Sequence, residues 1–359
     1  MLSGVMHFRN GTRPWARGLG GVLLLLALGG AALDDREIAV RTLARQDAAL
    51  LDVGERLAIA ALPLCRNRGW AAGMVIQTRA AFGDDYRDAA TRVLGVGDRP
   101  AITHVRTGGA AARAGLTAGD AILAIDGVPT ASERARSAAT TAATDAALAA
   151  LDRGLADGVA DLQVRRGGRD TVVRLRADPA CRARFEVRAG SETNASADDL
   201  RVQVSSDLVD PDRRDADLAP LVAHELAHIV LGHDKALERY RGGLLPGFGR
   251  GGRVLRDSET AADRLSVYLL ALAGYRPDDA IDFWARFGRR TDAGILSDRT
   301  HPGWKDRVAA IRAEVARIAA QRAVGQPPTP PADLGQADAV WMNQRRSSSS
   351  ASAVSTPLL

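Results

Sequence analysis

Apolar residues in the second half of the chain recur at the spacing of a helix face. The first such run occupies positions 218, 221, 222, 226, 229 and 230. Asp217 precedes this run, Pro220 lies near its start and Gly232 follows it, which is the usual order of helix start and stop signals. We therefore predict a helix that Asp217 caps, that holds Pro220 in its first turn and that ends at Gly232.

A second helix is predicted downstream of the first. Residues 257–263 read D-S-E-T-A-A-D and lead into an apolar run that continues to Leu272, with Gly274 and Pro277 beyond it. These are the signals of a helix end. The prediction places Glu259 in the first turn of this helix and Asp263 one turn later on the same face.

Strand patterns are found in the middle of the chain. Residues 121–125 form a short apolar run before Asp126-Gly127, and residues 160–166 and 171–176 flank Gly167-Gly168. Such dipeptides between apolar runs are typical of β-hairpin turns. The alanine-rich residues 132–155 predict a helix. The chain is therefore expected to be an α+β protein.

Charge and composition exclude one class of partner. The 359 residues include 48 basic and 43 acidic side chains, for a net charge of +5, and the basic residues are spread along the chain. The sequence has no basic stripe interleaved with aromatic residues, which argues against nucleic-acid binding.

The two ends of the chain differ from the rest. Residues 1–32 contain Arg9, Arg13 and Arg17, an apolar run at 22–28 and small residues after it, the pattern of an export signal peptide. An uncleaved membrane anchor is the alternative, although the run is short for a spanning helix. Both interpretations place the protein outside the cytoplasm: periplasmic or secreted in the first, and anchored in the inner membrane facing the periplasm in the second. Residues 323–359 are rich in proline and serine and are expected to be disordered.

The first predicted helix carries H-E-L-A-H at residues 224–228. On a helix, His224 and His228 lie one turn apart on one face, where both rings can bind a single zinc ion. Glu225 then stands beside the open coordination position and can take a proton from bound water. The alternative is an ordinary amphipathic helix with two buried, hydrogen-bonded histidines.

The third zinc ligand is expected from the second helix. His233 lies nine residues after His224, one short of the metzincin spacing, and is interpreted as a helix-end residue. Glu259 completes a site of two histidines and one glutamate. Asp263 is expected to accept the free ring N–H of a ligand histidine and so to fix its tautomer.

Four segments resemble the HtpX-like and CAAX-prenyl-protease family of gluzincin zinc metallopeptidases, in its exported, soluble branch. They are residues 194–205, 224–228, 259–263 and 300–307. The resemblance implies that His224, His228 and Glu259 bind one Zn²⁺ and that Glu225 is the general base. It also implies that His301 and Arg307 lie beside the site, where they polarise the scissile carbonyl or stabilise the oxyanion.

Residues 92–130 resemble the PDZ domains of bacterial proteases, notably in the run A-G-L-T-A-G-D-A-I-L-A-I-D-G at 114–127. The resemblance implies a β-rich domain with a groove helix at 132–155. Such a domain binds a peptide by adding a strand to its sheet. Leu94, Gly95 and Val96 are the expected carboxylate-binding loop. A spacer that only shapes access to the protease is the alternative.

Cys65 and Cys181 are the two cysteines of the chain, and they bracket the PDZ-like segment. In an oxidising compartment they are expected to form a disulfide at the neck of an inserted domain, whose ends lie close together. Two unrelated buried thiols are the alternative. The expected organisation is a signal peptide or anchor at 1–32, an N-terminal peptidase helix at 34–66, a PDZ-like domain at 70–180, the zinc peptidase domain at 181–322 and a disordered tail at 323–359.

The expected function is that of an exported zinc metalloendopeptidase. It would hydrolyse peptide bonds in unfolded or misassembled envelope proteins, with residues 200–206 holding the substrate as an added strand. Residues 247–252 fit a dinucleotide-binding pattern but follow no strand, and are expected to form a loop near the cleft. One alternative is a non-catalytic peptide-binding scaffold or chaperone with a structural or silent zinc site. Another is a peptidase restricted to self-processing or to one regulatory substrate.

Overall fold

The computed structural model describes residues 34–134, 138–190, 193–241, 249–291 and 302–334. Helices dominate the start and the second half of these ranges, and strands dominate the middle. The predicted α+β class is confirmed. The helices, α1 to α9 in chain order, are Asp35–Ala60, Arg87–Leu94, Ala110–Arg113, Ala142–Gly154, Asp215–Leu231, His233–Arg241, Gly249–Leu272, Asp278–Thr291 and Trp304–Ala323.

The strands of the described residues belong to two sheets and one ribbon. In chain order, β1 to β11 are Arg68–Ala71, Met74–Gln77, Ala101–Val105, Ala121–Ile125, Val128–Pro129, Val159–Arg166, Arg169–Arg176, Asp178–Cys181, Arg184–Arg188, Ala195–Ala197 and Arg201–Ser205. The larger sheet has the order β2-β3-β4-β6-β7, with β5 paired to β4. The smaller sheet has the order β10-β11-β9, and β1 pairs with β8 in the ribbon.

Two tight turns build the larger sheet. Asp126 and Gly127, between β4 and β5, have φ values of 48° and 75°, and Gly167 and Gly168, between β6 and β7, have φ values of 55° and 79°. Left-handed residues at both central positions give the twist that a two-residue hairpin needs. Both predicted hairpins are therefore confirmed. The predicted groove helix is shorter than expected, because α4 begins at Ala142 and residues 135–137 lie outside the described residues.

The helices α1, α5 and α7 share the principal hydrophobic core. Leu57 of α1, Leu226 of α5 and Leu269 of α7 are fully buried in it. Helix α9 packs against α7 and α8. Its buried Glu314 accepts hydrogen bonds of 2.7 Å from the Tyr268 hydroxyl and 2.6 Å from Arg264 Nε, both on α7. This buried polar cluster sets the register of α9 along α7.

The β-rich part is joined to the helices by a short neck. Strands β1 and β8, which enter and leave it, pair antiparallel from Arg68↔Cys181 to Ala71↔Asp178. Cys65 and Cys181 form the predicted disulfide at this point. One compact unit begins at Asp35 and contains all the helices and strands given above.

The start of α5 corrects the prediction made for it. The helix begins at Asp215, with Arg214 at the capping position, so that Asp217 lies in the first turn and Pro220 in the second. Two acidic residues in the first turn complement the positive end of the helix dipole, which favours the earlier start. The end at Gly232, which has a φ of 66°, is as predicted.

Helix α7 also starts earlier than the sequence indicates. It begins at Gly249, so that Glu259 lies in its third turn rather than its first. The glycines at 249–252, expected in a loop, open this helix, while residues 247–248 lie outside the described residues. Gly252 and Val254 are buried, and tertiary packing of this kind overrides the low helix propensity of glycine.

The prediction of disorder from residue 323 onwards is wrong for residues 323–334, and Ala323 is the last residue of α9. The Gln321 amide exchanges hydrogen bonds with the backbone of Thr329, Asp333 pairs with Arg264 at 2.9 Å and Leu334 is buried. The segments predicted at 1–32 and 335–359 lie outside the described residues. Within the described ranges, no helix is both long enough and apolar enough to cross a membrane.

Candidate metal centre

Helix α5 carries His224, Glu225 and His228 in its last two turns. His224 and Glu225 are buried, and His228 is half-buried. The two histidines lie one turn apart, and their Nε2 atoms approach to 3.2 Å. The helical spacing thus turns one nitrogen of each ring towards a common point.

Helix α7 packs beside α5 and brings Glu259 to that point. Its carboxylate oxygens lie 3.3 Å from His224 Nε2 and 3.5 Å from His228 Nε2. The donor atoms of the three side chains all lie within 4.8 Å of one another, and among the described residues this is the cluster able to hold a metal ion.

The donor set fits a zinc ion of the catalytic type. Two imidazole nitrogens and one carboxylate are the ligands of a zinc site that keeps a coordination position for water or substrate. Glu225 follows His224 on the same helix and is buried. The site therefore contains a ligand set, and Glu225 stays the predicted proton acceptor.

Asp263 supports the site from one turn further along α7. Its side chain is fully buried, and one oxygen lies 2.9 Å from His224 Nδ1. A carboxylate at this nitrogen favours the tautomer that leaves Nε2 available as a ligand. Burial is the largest influence on the pKa of His224 and lowers it, but the charge of Asp263 and hydrogen bonding to Asp263 and Glu259 together outweigh burial and raise this pKa to about 10.

His233 is the site residue that the sequence failed to connect with the metal centre. It opens α6 after the turn at Gly232, it is buried, and its Nδ1 lies 3.0 Å from His228 Nδ1. His228 thus turns Nε2 towards Glu259 and has a second imidazole at its other nitrogen. The position of His233, one residue after the helix-ending Gly232, is the only sequence signal that could have indicated this contact.

Arg307 of α9 lies beside the carboxylates of α7. Its Nε is 2.8 Å from Asp263, its Nη2 is 3.4 Å from Glu259, and the guanidinium stacks 3.9 Å above the ring of Trp284. Trp284, on α8, also packs edge-on against the His224 ring at 5.2 Å and was not expected from the sequence. The predicted role of Arg307 at a scissile carbonyl stays a prediction, and His301 lies outside the described residues.

The strand expected to hold the substrate is not at an edge. Strand β11 pairs with β10 on one side and with β9 on the other, so its backbone cannot take an added strand along residues 201–205. The outer edge next to α5 belongs to β10. The family resemblance indicated the strand correctly, but its neighbours depend on pairing across the whole sheet.

The proposed carboxylate-binding loop is also misplaced. Leu94 ends α2, Gly95 caps that helix with a φ of 67°, and Val96 is buried in a small cluster with Val40 and Phe82. The groove of the β-rich part lies elsewhere, between β2 and α4. The segment that leads into its edge strand is residues 71–73, not residues 94–96.

Two family models match parts of the chain. Residues 249–315 match peptidase family M48, and residues 102–143 match the PDZ domain. No curated protein and no solved structure matches the chain significantly. The two matches confirm the resemblance drawn from the sequence. The chain is thus similar to the peptidases of family M48 over the helices that carry Glu259, Asp263 and Arg307, and to PDZ domains over its middle segment.

Proposed function

We propose that the protein is a zinc-dependent endopeptidase with one Zn²⁺ per chain, held by His224, His228 and Glu259. The observation that carries the proposal is the convergence of these three donor groups from two helices. When bound at such a site, zinc acts as a Lewis acid that polarises a carbonyl group and makes water more acidic.

The chain's own residues supply the proton transfers and the alignment. Glu225 takes a proton from the attacking water and gives it to the leaving amine. Asp263 and His233 contact the outer ring nitrogens of His224 and His228 and hold both rings in place. Arg307 aligns the carboxylates of α7, and with His301 it is also assigned the stabilisation of charge on the substrate carbonyl.

The proposed substrates are unfolded or misassembled proteins of the cell envelope. An extended segment would add to the outer edge of β10, which contacts the zinc-binding helix α5, because an open strand edge offers backbone hydrogen bonds to any sequence. The PDZ-like part would bind polypeptide as well, or gate access to the site.

The proposed organisation is a peptidase domain into which the PDZ-like domain at 70–180 is inserted. The shared core of α1, α5 and α7 and the paired ends β1 and β8 support it. Residues 1–32 are proposed as a signal peptide or anchor, and the protein as periplasmic or secreted. A disulfide is typical of such oxidising compartments.

Casein hydrolysis by the parent chain and by Glu225→Gln tests the function. We expect about one zinc per chain in both proteins and a loss of roughly 10²- to 10⁴-fold in rate for the variant, the usual size of general-base catalysis. Chelation should abolish the parent activity, and added zinc should restore it. An active Glu225→Gln variant, or a parent chain that binds no zinc, would contradict the proposal; a zinc-loaded parent that cleaves nothing would favour the scaffold alternative.

A further inference from the structure

A cavity of about 330 Å³ lies where the larger sheet meets the helical part of the chain. Its walls are β2 and α4 on one side and β9 of the smaller sheet on the other. This volume is at the lower end of the range for ligand pockets. The residues that make its floor and α4 wall apolar are Ala72, Met74, Ile76, Leu148, Leu151 and Leu155.

Strand β2 presents an open edge to this cavity. It ends the sheet and pairs with β3, and no other strand of the described residues pairs with it. Strand β9 is also at the edge of its sheet, but its Val187 N–H is donated to the Asp47 carboxylate, which Gln77 contacts at 3.4 Å. An incoming strand therefore finds its backbone partners on β2.

A carboxylate from α1 occupies the end of the groove. Glu55 accepts a hydrogen bond of 2.8 Å from the Gly73 N–H, directly before β2, and one of 2.9 Å from Arg106 Nε. Gly73 has a φ of 76°, a conformation that glycine adopts without strain. Two donors at this end of the groove, the Gly73 N–H and Arg106 Nε, are thus already bonded to Glu55 and are not available to the terminal carboxylate of a bound strand.

The polar surroundings of the cavity also disfavour a terminal carboxylate. Its lining includes five acidic side chains, Asp47, Glu55, Asp145, Asp152 and Glu186, and three basic ones, Arg184, Arg188 and Arg201. A terminal carboxylate here would be desolvated beside the Glu55 carboxyl, which disfavours its charged form. An amide backbone that continues through the groove carries no such charge.

We propose that this cavity binds an extended internal segment of a polypeptide, not a chain terminus, by strand addition to β2 with apolar side chains against α4. The identity of the partner rests on the proposed function, since a peptidase acts on polypeptides. The binding itself requires no hydrolysis and can be measured separately.

The test measures binding of a short fluorescein-labelled peptide in which valine alternates with threonine. It is prepared as the free acid, as the amide, and with a glycine-serine extension after the last valine. Fluorescence anisotropy with the full, zinc-loaded chain carrying Glu225→Gln keeps the peptide intact. We expect the amide and the extended peptide to bind within about twofold of each other and the free acid to bind no more tightly.

Two substitutions on α4 locate the binding site. Leu148→Arg places a charge in the apolar wall and should weaken binding of the amide by at least about tenfold. Ala146→Arg, on the exposed face of the same helix, should change it by less than about twofold. Amide hydrogen exchange of the Glu225→Gln chain, whose groove is unaltered, should show protection of residues 74–77 when the peptide binds. This measurement does not depend on whether Leu148→Arg folds.

The proposal is overturned if the free acid binds at least about tenfold more tightly than the amide. It is equally overturned if no form binds, or if binding neither protects β2 nor responds to Leu148→Arg. Casein hydrolysis by the parent chain separates the two proposals. Hydrolysis without groove binding refutes only this one, and groove binding without hydrolysis refutes only the peptidase function.

Discussion

The substitution Asp263→Asn tests whether Asp263 connects α7, on which it lies, to His224 on α5 and to Arg307 on α9. Asp263 is fully buried, and its two oxygens contact different partners: His224 Nδ1 at 2.9 Å and Arg307 Nε at 2.8 Å. Asparagine keeps the volume of the side chain but removes its charge. The substitution therefore perturbs one proposed zinc ligand and one buried cation at the same time.

The two effects have different expected sizes. Loss of a carboxylate behind a ligand histidine lowers metal affinity by about 10- to 100-fold, or roughly 1.4 to 2.7 kcal/mol. Breaking a buried ion pair by removing one partner costs about 3 to 5 kcal/mol of folding stability. Because Arg307 still faces Glu259 and the ring of Trp284, we expect the lower end, about 3 kcal/mol.

Competition with a chelating dye measures the zinc affinity, and guanidinium unfolding of the metal-free chains measures the stability. Asp282→Asn, at an exposed position on α8, is the matched control and should change neither quantity. If Asp263→Asn binds zinc as tightly as the parent and unfolds at the same denaturant concentration, Asp263 does not connect the two helices as described, and the reasoning fails.

Three further predictions concern the rest of the fold. Cys65→Ser with Cys181→Ser opens a loop of 116 residues and should cost about 3 to 5 kcal/mol in urea unfolding under oxidising conditions; equal stability of the two chains would refute a structural role for the disulfide. Burial raises the pKa of Asp47 to about 7, so the folded state binds an extra proton and stability should fall as pH rises from about 4 to 7; Asp47→Asn should flatten this fall in a pH series of unfolding curves, and an unchanged slope would contradict it. A Cβ on Gly54 would lie 2.4 Å from the Phe185 ring, so Gly54→Ala should lower the free energy of unfolding by about 1 to 3 kcal/mol. Adding Phe185→Leu should restore part of this loss; unchanged stability of Gly54→Ala would show that the ring moves aside without cost.

Local sequence patterns predicted the elements of the site well. The spacing of His224 and His228 places both rings on one helix face, because that geometry depends on the backbone of a single turn. The ends of α5 and α7 at Gly232 and Gly274, and the hairpin turn at Gly167, follow equally from local backbone preferences. Each of these features is determined by residues close together in the sequence.

Helix starts were less predictable than helix ends. Pro220 and the glycines at 249–252 suggested later starts for α5 and α7, yet both helices extend beyond them. The cost of such residues is small compared with the burial of an apolar face, which depends on the partner helices. The position of Glu259 in its helix therefore could not be read from its own segment.

The sequence by itself determined the types of groups available at this site, namely two imidazoles one turn apart and a neighbouring carboxylate, and it indicated a hairpin-rich segment between two cysteines. The tertiary structure decided which groups meet. Three kinds of contact join distant parts of the chain: those of Asp263 and Arg307 with the His-His-Glu cluster, of Trp284 with His224, and of Glu55 with Gly73. Which strand of the smaller sheet has an open edge, β10 and not β11, also depends on distant residues. Local patterns report interactions within a few residues, whereas these contacts depend on how whole helices and sheets pack, and no short segment carries that information.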